Sequence, residues 1–195
     1  MTTAASTTPA ATQAVAAAPS TWTIDPTHSV VEFAVKHMMI ATVKGRFRDL
    51  GGVITLDEAE PARSSVRVEI DAASIDTGTA QRDDHLRSAD FFDAATHPKL
   101  VFTTRRVEGG FAEPGSRFRI VGDLSIRGVS REVVLDATYE GHGRDPWGGD
   151  RMAFTADTKL DRREYGLEWN QALETGGVLV SNEIRIHLEV QAVRA

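Results

Sequence analysis

At 195 residues the chain is long enough to bury one full core, and one β domain with a tail is its natural organisation. A net charge of −6 disfavours general affinity for nucleic acid or anionic membrane, and the lack of cysteine removes disulfides, thiol catalysis and thiolate metal sites together. No apolar run approaches the ~20 residues needed to cross a bilayer as a helix.

Residues 1–20 are Ala, Thr, Ser and Pro in a low-complexity run without Lys or Arg. Their longest apolar stretch, Ala14-Val-Ala-Ala-Ala18, is shorter and weaker than the core of a secretory signal, and no basic start precedes it. The expectation is a disordered tail and a cytoplasmic protein, the alternative being an atypical export signal. One domain then spans 21–195. Asp25-Pro26 turns into a first long strand, 29–37, in which Val31, Phe33 and Val35 point one way and Glu32 and Lys36 the other. This period of two means one dry face and one wet face. A second strand, 41–48, is expected to end at a tight turn through Gly51-Gly52, followed by a strand at 53–57. Residues 64–75 alternate cleanly, with Val66, Val68 and Ile70 inward.

The rhythm breaks at 79–88, which reads as a helix that Thr79 can cap and whose early turns suit Asp83 and Asp84. With the trailing pair Phe91-Phe92 it has the look of a lid over one end of the sheet. Strands resume at 99–108, 117–127, 132–140, 152–160 and 180–193. Turn signals separate them at Gly109-Gly110, Arg127-Gly-Val-Ser130 and Pro146-Trp-Gly-Gly149. The fold class is therefore all-β: about eight one-sided antiparallel strands, which suit a closed barrel, with one inserted helix.

The chemistry-bearing residues do not assemble into a known catalytic pattern. The six histidines (28, 37, 85, 97, 142 and 187) show neither His-x-His nor His-Glu-x-x-His spacing, so no metal site is assigned; His142 is read as lying in a glycine turn and His187 on an outward face. Asp25-Pro-Thr-His-Ser29 is read as a turn in which Asp25 bonds nearby amides, since five consecutive residues cannot align a triad. No catalytic residue and no cofactor is assigned. What remains is the apolar interior: Phe33, Val35, Val68, Ile70, Phe102, Phe118, Ile120, Leu124, Phe154, Ile186 and Leu188 on inward positions, joined by Phe91 and Phe92. Periodicity alone does not distinguish a filled barrel from a hollow one.

Several runs resemble one family. Thr21-Trp-Thr-Ile-Asp-Pro-Thr-His-Ser29, Phe33-Ala-Val-Lys-His37 and Val43-Lys-Gly-Arg-Phe47 are similar to the opening of YceI-like proteins. So, in order, are Ser74-Ile-Asp-Thr-Gly78, Arg82-Asp-Asp-His-Leu-Arg-Ser-Ala-Asp-Phe-Phe-Asp93, His97-Pro-Lys-Leu-Val-Phe102, Gly122-Asp-Leu-Ser-Ile-Arg-Gly128 and Asp161-Arg-Arg-Glu-Tyr-Gly166. The resemblance implies an extended antiparallel, lipocalin-like β-barrel that binds polyisoprenoid or isoprenoid quinone in its interior, and members that are often exported and often dimeric. On this reading the protein is a non-enzymatic lipid carrier or sequestering protein with the lipid as its partner, and a homodimer is an open alternative to a monomer. A polar headgroup would sit at the mouth, beside Arg82, His85 and Asn182. The rivals are a small hydrolase or isomerase with its site at the mouth, and a ligand-free stress-related structural protein.

Overall fold

The computed structural model describes residues 18–174 and 176–195. Most of the sequence expected to form a tail, residues 1–17, lies outside them. Eleven strands form in chain order: β1 (Ser20–Ile24), β2 (Val30–His37), β3 (Ala41–Phe47), β4 (Leu50–Leu56), β5 (Ser65–Asp71), β6 (Ile75–Asp76), β7 (Lys99–Gly109), β8 (Arg117–Ile126), β9 (Val129–Arg144), β10 (Asp150–Asp161) and β11 (Val180–Arg194). One α-helix, α1 (Ala80–Arg87), lies between β6 and β7.

The pairings reduce these strands to eight antiparallel staves. β1 and β2 follow one another along the same edge of β11, with Ile24 opposite Ala192 and Val31 opposite Leu188. On their other side β1 pairs with β4 and β2 with β3. β4 then pairs with β5, and β3 with β6. The sheet continues through β7, β8, β9 and β10 to β11, which closes it. Each stave neighbours the next in sequence, so the molecule is an up-and-down barrel without a free edge in its main wall.

Closure occurs at the corner between β1 and β2. There the Asp25 amide donates to the Gln191 carbonyl at 2.8 Å, and the Ser29 hydroxyl both accepts from the Gln191 amide and donates to the Gln191 carbonyl. The hydroxyl replaces the ladder bonds that the corner interrupts. The Asp25 carboxylate accepts from the Thr27 amide, as expected of the turn, and from Arg151 of β10 at 2.7 Å and His28 at 2.9 Å. Arg151 also reaches the Gln191 side chain and Asp145, so one guanidinium ties three staves together across the seam. Arg151 above all, and His28 after it, hold the Asp25 carboxyl well below the usual carboxylate range.

Three local expectations are corrected. Gly51-Gly52 is not a turn: both residues lie inside β4, neither has positive φ, and the chain only bends between β3 and β4. Gly52 is needed for close approach instead, since a Cβ there would stand 2.3 Å from the Arg67 carbonyl of β5. Thr79 occupies the position before α1, but its hydroxyl accepts from Arg82 and caps no helix amide. Asp83 is buried and accepts from the Thr77 amide and hydroxyl, so it anchors the start of the helix to the loop before it. His142 lies in β9, not in a turn, with its Nδ1 2.7 Å from the Tyr139 hydroxyl.

Two outcomes follow from this packing. Gly52→Ala is expected to lower unfolding stability by about 1–3 kcal/mol through forced separation of β4 and β5, whereas Gly51→Ala, with open space around it, is expected to be neutral or stabilising in the same urea titration. Asp25→Asn is expected to lower Tm at pH 7. Because the folded-state pKa of Asp25 lies below its unfolded value, its contribution is present at neutral pH and fades as pH falls from about 4 downward. The Tm gap between variant and parent should therefore narrow in acid; a gap constant from pH 7 to pH 3 would count against the clamp.

Candidate functional site

Alternation sends one side chain in two into the barrel, and in eight staves the interior is just wide enough to be either filled or left hollow. Here it is hollow. A cavity of about 250 Å³ lies along the axis, from Ile24, Leu56 and Phe111 at one end to Leu160, Tyr165 and Val180 at the other. Its walls are formed by inward residues that stay only half-buried within the fold, among them Phe33, Val68, Ile120, Ile186 and Leu188. That residual exposure faces the lumen.

All thirteen apolar residues singled out from the sequence line this cavity. Phe33 and Val35 come from β2, Val68 and Ile70 from β5, Phe102 from β7, and Phe118, Ile120 and Leu124 from β8. Phe154 comes from β10, Ile186 and Leu188 from β11, and Phe91 and Phe92 from the segment after α1. At the end away from α1, Phe111 folds in from the β7–β8 loop. It meets Phe118 edge-on at 5.6 Å between ring centroids, and Phe118 meets Phe154 at 6.1 Å. Contacts of this geometry are favourable beyond their buried area, and here they hold Phe111 buried at this end of the lumen.

The end beside α1 is built differently. Phe92 packs edge-on against Phe47 at 5.7 Å, and Phe91 sits 5.4 Å from Trp169. Above them lies a second cavity of about 420 Å³ bounded by α1, the β2–β3 hairpin and Trp169, Leu179 and Val180. It shares Phe33, Val35, Leu86, Phe91 and Val180 with the lumen, so these side chains form the partition between vestibule and lumen. The β2–β3 turn at its rim is apolar and exposed: Met39 is 59% and Ile40 80% accessible. Met38 and Met39 both hold positive φ, a conformation that favours Gly or Asn.

Of the three residues expected at the mouth, Arg82 and His85 line the vestibule and Asn182 lines neither cavity. Arg82 is committed to the loop before α1, donating to the Thr77 hydroxyl and carbonyl and to the Thr79 hydroxyl. His85 bonds Asp90 through Nε2 at 2.9 Å and stacks edge-on against Trp169. Asn182 shares the parity of Ile184 and Ile186, but the β11–β2 register shifts between Val180 and Ile184, and the alternation is lost there.

Strand parity over the expected strands leaves out two residues of the lumen wall. Asp161–Gly166 was noted only as a family-like run, yet Arg162 and Tyr165 line the cavity and are 4% and 1% exposed. The signal was available, since Arg162 follows Leu160 by two residues and so continues the inward face of β10. The histidines stay apart: His28 is with Asp25, His142 with Tyr139 and His187 with Asp157. Among the described residues no three His, Asp or Glu side chains converge as a metal site would require.

Comparison with solved structures places the same barrel elsewhere. The Campylobacter jejuni YCEI protein superposes with a TM-score of 0.69 at 32% identity, over 82% of this chain and 90% of the other. A polyisoprenoid binding domain from Saccharophagus degradans, implicated in plant cell wall breakdown, shares the fold with a TM-score of 0.67 at 17% identity, over 89% and 98% of the two chains. Protein YceI of Escherichia coli O157:H7 is 39% identical over 141 residues, 72% of either chain. The YceI-like domain matches residues 22–192, from within β1 to within β11, and the chain belongs to the YceI-like family.

Proposed function

We propose that the protein is a non-enzymatic carrier or sequestering protein for an apolar isoprenoid lipid, a polyisoprenoid or an isoprenoid quinone, held along the barrel axis. The observation that carries this reading is the lumen itself. It is long, and its lining residues are apolar except for Arg162, Tyr165 and a few Ser and Thr side chains. The solved relative described as a polyisoprenoid binding domain supports it. The driving force would be removal of isoprene units from water, roughly 25 cal/mol per Å². Several hundred Å² would then yield on the order of 10 kcal/mol before ordering costs are subtracted, the scale from which binding on the order of micromolar can follow.

Admission would be from the α1 end, where the partition between vestibule and lumen consists of side chains and not of hydrogen-bonded strands. Phe91, Phe92 and Leu86 belong to the inserted segment, which can shift without opening the wall. An enzyme at the same mouth is the weaker reading, because Arg82 and His85 are tied to structural partners.

Organic extracts of the purified protein, analysed by mass spectrometry, are expected to yield an isoprenoid lipid. Ile186, half-buried in the wall, gives a direct test of the lumen. Ile186→Glu should abolish binding of a fluorescent isoprenoid, since an unpaired carboxylate in an apolar site is costly. Ile186→Ala should keep the fold and bind with a several-fold change only. If folded Ile186→Glu binds as tightly as the parent, the ligand does not occupy the barrel.

A further inference from the structure

We propose that the exposed β2–β3 turn is a membrane-docking tip, by which the barrel seats its α1 end on an anionic bilayer and exchanges lipid with it. The proposal rests on that end being where the lipid enters, and it adds the surface from which the lipid comes.

Six large apolar side chains stand exposed among the described residues, and three of them are consecutive in this turn: Met38 at 41%, Met39 at 59% and Ile40 at 80%. The others, Val53, Val134 and Trp147, are scattered singly, which is ordinary for a protein surface. A run of three is not. The backbone makes the choice of residues more pointed. The Ile40 amide closes the turn onto the His37 carbonyl at 3.2 Å, and both central residues hold positive φ, 51° at Met38 and 63° at Met39. Such a turn favours Asn-Gly. Methionine at both positions strains it, and strain of this sort gathers at functional sites. The turn is also held in place: the Met38 amide donates to the Leu179 carbonyl at 2.8 Å, beside the vestibule wall that Leu179 and Val180 form.

Size, charge and place select a bilayer as the occupant. The patch is a few hundred Å² at most, well short of the about 800 Å² per partner of a stable protein interface. From Phe33 to Arg48 the hairpin has no Asp or Glu, in a chain of net charge −6. Arg46 and Arg48 engage Asp76, whereas Lys36 and Lys44 are exposed and form no ion pair among the described residues. Through Ala34, Lys44 shares a cross-strand row with Arg185 and Lys159, between which Glu183 is the nearby carboxylate. The wall behind the tip is therefore cationic. Asp84, Asp90, Glu168 and Glu174 sit on α1 and the loops after it, so contact is made by the hairpin and not by the whole rim. An apolar tip flanked by lysines suits the interface of an anionic membrane. Its place completes the argument: Val35, His37 and Val43 of the same hairpin line the vestibule, so a docked tip brings the mouth of the barrel to the headgroups.

The test mixes the full chain with vesicles of phosphatidylcholine, alone or with phosphatidylglycerol, and reads binding by co-flotation. The parent is expected to bind the anionic vesicles and to be released by salt. Met38→Asn with Met39→Gly installs the residues the turn favours, and neither methionine lines the lumen or the vestibule. This double variant should keep or raise Tm, bind a fluorescent isoprenoid in solution as the parent does, and bind vesicles on the order of tenfold more weakly. Lys36→Gln with Lys44→Gln should weaken binding to the anionic vesicles by on the order of tenfold. Trp147→Ser, in the β9–β10 turn at the opposite end of the barrel, should change nothing. Three results overturn the docking tip and leave the lumen reading standing: no binding of the parent to anionic vesicles, parent-like binding by the methionine variant, or loss of binding on Trp147→Ser. A parent that dimerises in sedimentation through the methionines, with no vesicle bound, overturns it in favour of a second copy. A parent that binds vesicles and no isoprenoid in solution overturns the lumen reading, and the exchange of lipid with it.

Discussion

Everything in this molecule depends on the sheet closing on itself. A β-strand carries unpaired amides and carbonyls along both edges, and a wall of eight staves escapes that cost only if the first stave meets the last. Here the meeting is irregular: β1 and β2 share the edge of β11, and the Ser29 hydroxyl and Asp25 amide supply the bonds that the corner removes. The Arg151 clamp then holds β10, β11 and the corner in one place. With the ring complete, the inward half of the side chains has no route to solvent along an edge. The choice between a packed core and a hollow lumen passes to side-chain volume alone.

Much of this was legible in the alternation of single strands. Phe33 and Val35, or Ile186 and Leu188, declare their face by parity, and a closed barrel converts that parity into a cavity wall. The readings that failed did so where the backbone leaves regular geometry. Gly51-Gly52 looks like a turn because glycine pairs usually supply positive φ, yet Gly52 serves the close approach of Arg67's carbonyl. Asn182 has inward parity, but the register shift on β11 intervenes. Thr79 stands where a cap belongs, and Arg82 takes its hydroxyl. Each is settled by a neighbour distant in sequence or by a local irregularity, and neither leaves a periodic trace. Hollowness is illegible for another reason: Ile120 and Leu124 belong to the same pattern, whatever the space between them and the opposite wall.

Charge is divided between the two faces of the wall in a way that composition conceals. Outside, arginines and carboxylates form cross-strand clusters such as Arg105 with Asp123 and Glu132, and Arg106 and Arg119 with Glu108. These pairs are solvated and individually contribute little to stability, but they keep the outer face wet and the register distinct. Inside, Arg162 is the one ionic residue among the described residues that line the lumen, and it is buried. The net charge of −6 is thus a property of the outer face, and the lumen surface is apolar.

The seam also has a meaning in time. Seven of the eight junctions join staves that follow one another along the chain, and such local pairings form early because little chain entropy is lost in closing them. The eighth joins Trp22 to Arg194 and Ile24 to Ala192, nearly the full length of the domain apart. Closing it is the costliest step in loop entropy, and so belongs late in folding. Until then the future lumen is the concave apolar face of an open curved sheet, with two unpaired edges. A lipid that meets the chain at that stage does not have to thread past Phe91 and Phe92. It would be wrapped as the barrel is completed around it.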